Sequence, residues 1–252
     1  MPDFPAMADH TGSVEAVPRR LRGYLGGACV FDTVSAVYVW DTPKYPTYHI
    51  PLADLDPLLL TDDEHPRRLR RGPTRSFSLG QGDARRPGAV RAYTDEADMS
   101  VAGLARIEWD ALDAWFEEDE QVWVHPRNPY TRVDALRSSR HVRVELAGRL
   151  LAESGASVMV FETGLPTRYY VERTAVDLPA LTPSDTVTEC PYKGRTTAYW
   201  SARVSEVWVP DVAWSYDFPT RALSPIAGLV AFYNEHTTIT VDGRPASTGA
   251  HA

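Results

Sequence analysis

Cysteine is scarce in this chain: 252 residues hold two, Cys29 and Cys190. Two thiols are too few for the multi-bridge scaffold of a small secreted domain, or for a Cys-rich structural zinc centre. Basic charge is also in deficit. The chain carries 26 Lys and Arg against 34 Asp and Glu, a formal net charge of −8. A sequence-independent nucleic-acid binder needs the opposite balance to release counterions from phosphate, so that partner is not expected. No apolar run approaches the ~20 residues that cross a bilayer, and residues 1–17 lack the basic-then-apolar order of a secretory leader. The expected setting is therefore cytoplasmic, with no membrane partner. Several chemistries are missing too. There is no phosphate-cradling Gly loop, no Gly-x-Ser-x-Gly elbow and no metalloprotease spacing among the seven histidines.

What is abundant points to β structure. Twenty prolines disfavour long helices, while 43% hydrophobic and 10% aromatic residues can supply a core. The chain also repeats itself. Residues 25–60 overlay residues 146–181 without a gap, with identities at Leu25/Leu146, Gly27/Gly148, Val37/Val158, Val39/Val160, Thr42/Thr163, Tyr48/Tyr169, Asp56/Asp177 and Leu60/Leu181. Asp41 falls on Glu162 and Ile50 on Val171. A further match is read between Leu112, Ala114, Glu118, Val124, Arg127 and Leu229, Ala231, Glu235, Val241, Arg244. A period of roughly 110–120 residues is too long for a solenoid unit and is domain-sized. The reading is a tail at 1–18, a domain at 19–130, a linker at 131–142, a second domain at 143–246 and a tail at 247–252. Two fused copies replace a homodimer, so a monomer with a pseudo-dimeric domain pair is expected.

Along each copy, β-branched and aromatic residues at 34–40 and 157–161, then at 48–50 and 168–171, predict strands. Residues 62–100 read as an irregular insert with Arg67, Arg68, Arg70, Arg71, Arg75, Arg85 and Arg86, either an anion-binding arm or a solvated loop. Short helices are expected at 105–118 and 224–234, each followed by a strand, at 121–125 and 237–241. The fold class is mainly β, a β-rich α+β chain of two antiparallel domains.

The sharpest chemical string is Thr188-Glu189-Cys190-Pro191-Tyr192-Lys193-Gly194, a turn presenting a thiol beside an ammonium. A neighbouring cation favours a thiolate, which would make Cys190 a nucleophile and Lys193 its electrostatic partner. The competing reading is a buried thiol packed as a small hydrophobe. A one-residue slide of the repeat sets Arg71-Gly72-Pro73-Thr74 on Lys193-Gly194-Arg195-Thr196 and Phe77 on Tyr199, and puts Arg68 where Cys190 stands. Any thiol chemistry then belongs to the C-terminal copy. Trp214-Ser215-Tyr216-Asp217-Phe218-Pro219 either walls a pocket or forms a core corner, and has no convincing counterpart in the first copy. Glu162 and Asp41, just after a strand, either contact a backbone turn or serve as a general base. Arg140 and His141, with Arg132, Asp134 and Arg137 before them, either line an interdomain cleft or form an interface network.

Four motifs in order carry a resemblance: Phe161-Glu162-Thr163 with Arg168-Tyr169-Tyr170, then Cys190 to Gly194, then Ala213-Trp214-Ser215-Tyr216 with Pro219, then Ile226 to Tyr233. The C-terminal copy resembles the DUF427 family, a domain of unknown function, and the whole chain resembles the tandem form found in actinobacteria. The resemblance implies a mostly antiparallel β-tent or Mss4-like fold, here without the zinc cysteines of some relatives. It brings no agreed activity. The candidate catalytic set is Cys190, Lys193 and Glu162; the candidate substrate-binding set is Arg168, Tyr170, Tyr192, Trp214, Tyr216, Arg140 and His141, with no metal and no cofactor. The expectation is a small-molecule enzyme of hydrolase, lyase or transferase type, with its pocket in the C-terminal repeat near the interdomain cleft. The alternative is a non-catalytic module that holds a small anionic metabolite through Lys193 and Arg168.

Overall fold

Alternation starts the fold. Along Leu21–Leu25 the residues Leu21, Gly23 and Leu25 are buried, while Arg22 and Tyr24 are half-buried, the period of two that gives a strand one inner face. The chain then reverses through Gly26 and Gly27, whose φ values of +58° and +79° suit a two-residue primed turn. The second copy turns at the same place through Ala147 and Gly148, with φ +47° and +79°.

The computed structural model describes residues 6–248 and separates into two units, one spanning Ala8–Asn128 and the other running from Pro129. In the first unit a large sheet runs in the order Val14–Ala16, Val37–Val39, Thr47–Pro51, Leu104–Ile107, Arg86–Tyr93, Gly72–Leu79, Leu60–Asp62, with Arg67–Leu69 also paired to Gly72–Leu79. A small sheet runs Glu120–Val122, Ala114–Glu117, Leu21–Leu25, Ala28–Thr33. The second unit repeats the large sheet as Val133–Ser138, Ser157–Glu162, Arg168–Val171, Val230–Phe232, Val207–Ser215, Ala198–Val204, Leu181–Ser184. Its small sheet is Arg149–Ser154, Val142–Leu146, Thr238–Val241, Arg244–Pro245, and Glu189–Cys190 forms a ribbon with Gly194–Arg195. The ladders are antiparallel, as expected. Among the described residues no helix is long and apolar enough to cross a membrane.

The core of each unit lies between its two sheets. Leu21, Val30, Phe31, Tyr48, Ile50 and Trp115 meet in the first, and Val144, Leu151, Met159, Tyr169, Val171 and Phe232 in the second. Each such side chain contributes about 1.5–3 kcal/mol on burial. The second unit has a further cluster on the other face of its large sheet, because successive residues point oppositely: Met159 and Tyr169 face the core, while Val158 and Tyr170 join Tyr199, Trp214, Tyr216, Leu223 and Ile226 outside it.

Four expectations are corrected. Residues 62–100 are not irregular; they hold strands Arg67–Leu69, Gly72–Leu79 and Arg86–Tyr93. Their arginines are largely engaged there: Arg71 pairs with Asp41, Arg75 with Asp62 and Arg85 with Asp63. The helices expected at 105–118 and 224–234 are strand and 3-10 segments, Leu104–Ile107, Trp109–Ala111 and Ala114–Glu117, then Arg221–Ile226 and Val230–Phe232. The tail at 1–18 and the linker at 131–142 each contain an edge strand, Val14–Ala16 and Val133–Ser138, paired on one side only; residues 1–5 and 249–252 lie outside the described residues. The match of Glu118 with Glu235 gives way to Glu118 with Asp242, which occupy the same hairpin turn with φ +50° and +52°. The gap-free match of 25–60 with 146–181 stands strand for strand.

Candidate functional site

The outer aromatic face of the second unit is where the expected residues gather. The Glu189–Cys190 and Gly194–Arg195 ribbon closes through Gly194 at φ +94°, a conformation that favours glycine. The turn is fastened to the segment after Ser215: the Thr220 amide donates to the Lys193 carbonyl at 3.0 Å and its hydroxyl to the Tyr192 carbonyl at 2.6 Å. Tyr192 therefore contributes backbone to the turn, and its ring is half-buried.

Inside the turn the Lys193 side chain runs inward and is 8% exposed. Its Nζ donates to Oε2 of the equally buried Glu162 and, at 3.9 Å, to the Cys190 sulfur. Burial works against the ammonium, yet Cys190, Glu162 and Tyr170 outweigh it and hold Lys193 above the ordinary lysine range. Cys190 is half-buried, with the Lys193 ammonium 3.9 Å from its sulfur.

Tyr170 sits fully buried beside them. Burial pushes its phenol up to about 12, with Lys193 pulling the other way, so it is a neutral hydroxyl at working pH. That hydroxyl accepts from Trp214 Nε1 at 3.2 Å, which leaves its own proton to donate. Burial raises the Tyr216 phenol still more, with Tyr170 and Cys190 adding to it. Tyr199 and Tyr233 complete the wall; their hydroxyls are 3.1 Å apart and the Tyr233 ring packs 4.3 Å from Trp214.

Arg168 belongs to this wall but is already matched. Both terminal nitrogens donate to Glu235, at 2.7 and 2.8 Å, one also reaches Asn234 at 3.0 Å, and the guanidinium lies over Trp214 and Tyr233. Arg140 and His141 lie elsewhere, at the start of the small-sheet strand Val142–Leu146, exposed and paired with Asp242 at 2.7 Å and Glu153 at 3.1 Å. The structure thus groups Cys190, Lys193, Glu162, Tyr170, Trp214, Tyr216 and Arg168, and leaves Arg140 and His141 out. Sequence reasoning passed over Tyr199, Tyr233 and Glu235. The expected match of Phe77 with Tyr199 is one residue off: the strand register sets Phe77 level with Trp200, both on the core side, and Ser76 level with Tyr199.

The first unit shows what this arrangement is built on. Gly72, at φ +137°, takes the place of Gly194, and Arg71 Nε lies 3.2 Å from Asp41 Oδ1, the counterpart of the Lys193–Glu162 pair. Leu69, paired with Gly72 as Cys190 is with Gly194, stands where the second unit has Cys190, which corrects the expected Arg68, and His49 stands where it has Tyr170. His49 is fully buried against Tyr93, and burial, with Arg106 nearby, lowers it to about 4. Ala97 packs directly on Gly72, and Val39, Tyr93 and Val101 fill that face with Leu69 and Ala97. The cation–carboxylate pair is common scaffold; the thiol and the buried phenol beside it are particular to the second unit.

A family model described as "Domain of unknown function (DUF427)" matches the chain twice, over residues 13–118 and 134–243. The chain belongs to the DUF427 family. The matched segments take in the edge strand Val14–Ala16 and, from residue 134, the edge strand Val133–Ser138, and each stops before the last strand of its small sheet, Glu120–Val122 or Arg244–Pro245. A comparison with functionally described proteins gives no match. Among the described residues no group of three or more His, Cys, Asp or Glu is placed to hold a metal ion.

Proposed function

We propose that the C-terminal DUF427 repeat is a small-molecule enzyme in which Cys190 acts as a nucleophile in hydrolysis or group transfer. The observation that carries this reading is the Cys190–Lys193–Glu162 line, whose ion pair both repeats share and whose thiol only the second supplies. On an acyl substrate the sulfur forms a bond to the carbonyl carbon, the bond to the leaving group breaks, and the thiol proton departs on that group. Water or a second acceptor then takes the acyl group and restores the thiol. Lys193 balances negative charge at the sulfur, Glu162 holds Lys193 in place, and the Tyr170 hydroxyl donates toward the developing oxyanion. The aromatic wall of Trp214, Tyr216 and Tyr233 excludes water.

The alternative, a module that holds an anionic metabolite through Lys193 and Arg168, has less support, because Glu162 and Glu235 already engage both cations. p-Nitrophenyl acetate serves as a test acyl donor. Peptide mass spectrometry is expected to find an acetyl group on Cys190 that turns over with time and is lost in Cys190→Ser. Acetylation confined to Cys29 or lysines, or equal turnover in Cys190→Ser, would contradict the nucleophile role.

A further inference from the structure

A cleft of about 580 Å³ opens on the same outer face of the second unit, with Arg137, Val158, Tyr170, Glu172, Leu229 and Ser157 among its lining. Its position follows from the register of the sheet. Arg137 pairs with Val158, Val158 with Tyr170, Tyr170 with Ala231 and Ala231 with Trp214, so these residues form one row across the strands. With strands ~4.8 Å apart, Arg137 stands roughly 10 Å from Tyr170 along that row. Tyr170 is the shared wall: the cleft lies on one side of it and the Cys190 turn on the other.

Three observations point to a ligand here. Arg137 and Glu172 line one cleft, yet neither side chain forms an ion pair or hydrogen bond among the described residues, although most of the charges around them are paired. Ser157, 7% exposed on the same rim, has a buried hydroxyl oxygen without a partner among the described residues, and a buried hydroxyl of that kind is costly unless something satisfies it. The first repeat lacks all three groups. In the gap-free alignment Ser157 is Ala36 and Glu172 is Pro51, and Arg137, paired with Val158 as Ala16 is with Val37, is Ala16. The scaffold does not need a cation, a hydroxyl and a carboxylate at these places; the second repeat has all three.

We infer that this cleft binds a small zwitterion, an α-amino acid or a close derivative. Arg137 takes the carboxylate, Glu172 takes the ammonium, and Val158 and Leu229 supply an apolar floor for the side chain. A simple anion would meet Arg137 but be repelled by Glu172, and a simple cation the reverse, so only a ligand with both charges satisfies the pair. The assignment stands independently of any chemistry at Cys190.

The test is isothermal titration of the full chain with the twenty common L-amino acids, each beside its N-acetyl and methyl-ester forms. Saturable binding of at least one free amino acid is expected, weakened roughly tenfold or more by blocking either end, as loss of a charge-assisted contact requires. Arg137→Ala and Glu172→Gln, both at exposed positions, are expected to weaken it similarly, while Cys190→Ser keeps it. Absence of saturable binding across the millimolar range would overturn the proposal. So would equal binding of the N-acetyl forms, or affinity unchanged in both variants. Loss of binding in Cys190→Ser would place the ligand at the thiol and overturn the cleft assignment, whereas failed acetylation of Cys190 with intact amino-acid binding would count only against the enzymatic reading.

Discussion

Lys193 and Glu162 are the residues on which the site's geometry depends, and their burial makes them sensitive. A buried ion pair adds little net stability over a hydrophobic substitute, but removing one partner strands the other charge and costs about 3–5 kcal/mol. Lys193→Met and Glu162→Gln are each expected to destabilise the C-terminal unit by amounts in that range, with the double variant losing less than their sum. Urea unfolding of the three variants measures this, and strict additivity would mean the pair is not coupled. His49 gives a pH signature in the other unit. Its folded value of about 4 lies below the ordinary 6.5, so the unfolded chain binds the proton first as pH falls. Stability from this residue is complete above pH ~6.5 and is lost progressively down to pH ~4, by about 3 kcal/mol. His49→Phe is expected to flatten that part of the acid limb. An unchanged limb in pH-dependent denaturation would contradict it. The approach of Lys193 to Cys190 was legible from three-residue spacing alone. The engagement of Arg168 by Glu235 was not, since Arg168 opens one strand and Glu235 lies in the turn after the neighbouring strand Val230–Phe232, and only the fold brings them together.

At the level of elements, the two ribbon glycines separate local strain from packing. Gly194→Ala meets only ordinary contacts, with Thr220 N at 3.6 Å, so its cost is that of the left-handed backbone, about 1–2 kcal/mol. Gly72→Ala has a similar backbone penalty and also drives a methyl to 2.5 Å from the Ala97 backbone. Gly72→Ala is therefore expected to lower the denaturation midpoint more than Gly194→Ala, and the reverse order would contradict the packing seen here. Element identity was readable where alternation was clean, as at 157–161 and 168–171. It failed at 62–100, where the arginines gave the outline of a loop although they are matched across strands by Asp41, Asp62 and Asp63. It failed again at 105–118, where a 3-10 turn between two short strands imitates helical spacing.

For the molecule as a whole, duplication explains both what is shared and what differs. Two DUF427 repeats keep the strand order, the positive-φ glycine and the cation–carboxylate pair, all of which follow from folding. They diverge on the outer face of the large sheet. One closes it with Val39, Tyr93 and Val101, and the other lines it with a thiol, phenols and two unpaired charges. This divergence on one face of a preserved scaffold is what supports the proposal of chemistry in the second repeat. The repeat itself was visible without any structure, whereas its late segment was misaligned because connections of different length between Leu60 and Leu104 and their counterparts had already shifted the offset. The most direct test of the account compares the two thiols of the native chain. With iodoacetamide at neutral pH, followed by peptide mass spectrometry, half-buried Cys190 beside Lys193 is predicted to alkylate faster than exposed Cys29, and to lose that lead in Lys193→Met that remains folded. Slower labelling of Cys190 than of Cys29, or labelling only on unfolding, would contradict the account and make Cys190 a packing residue.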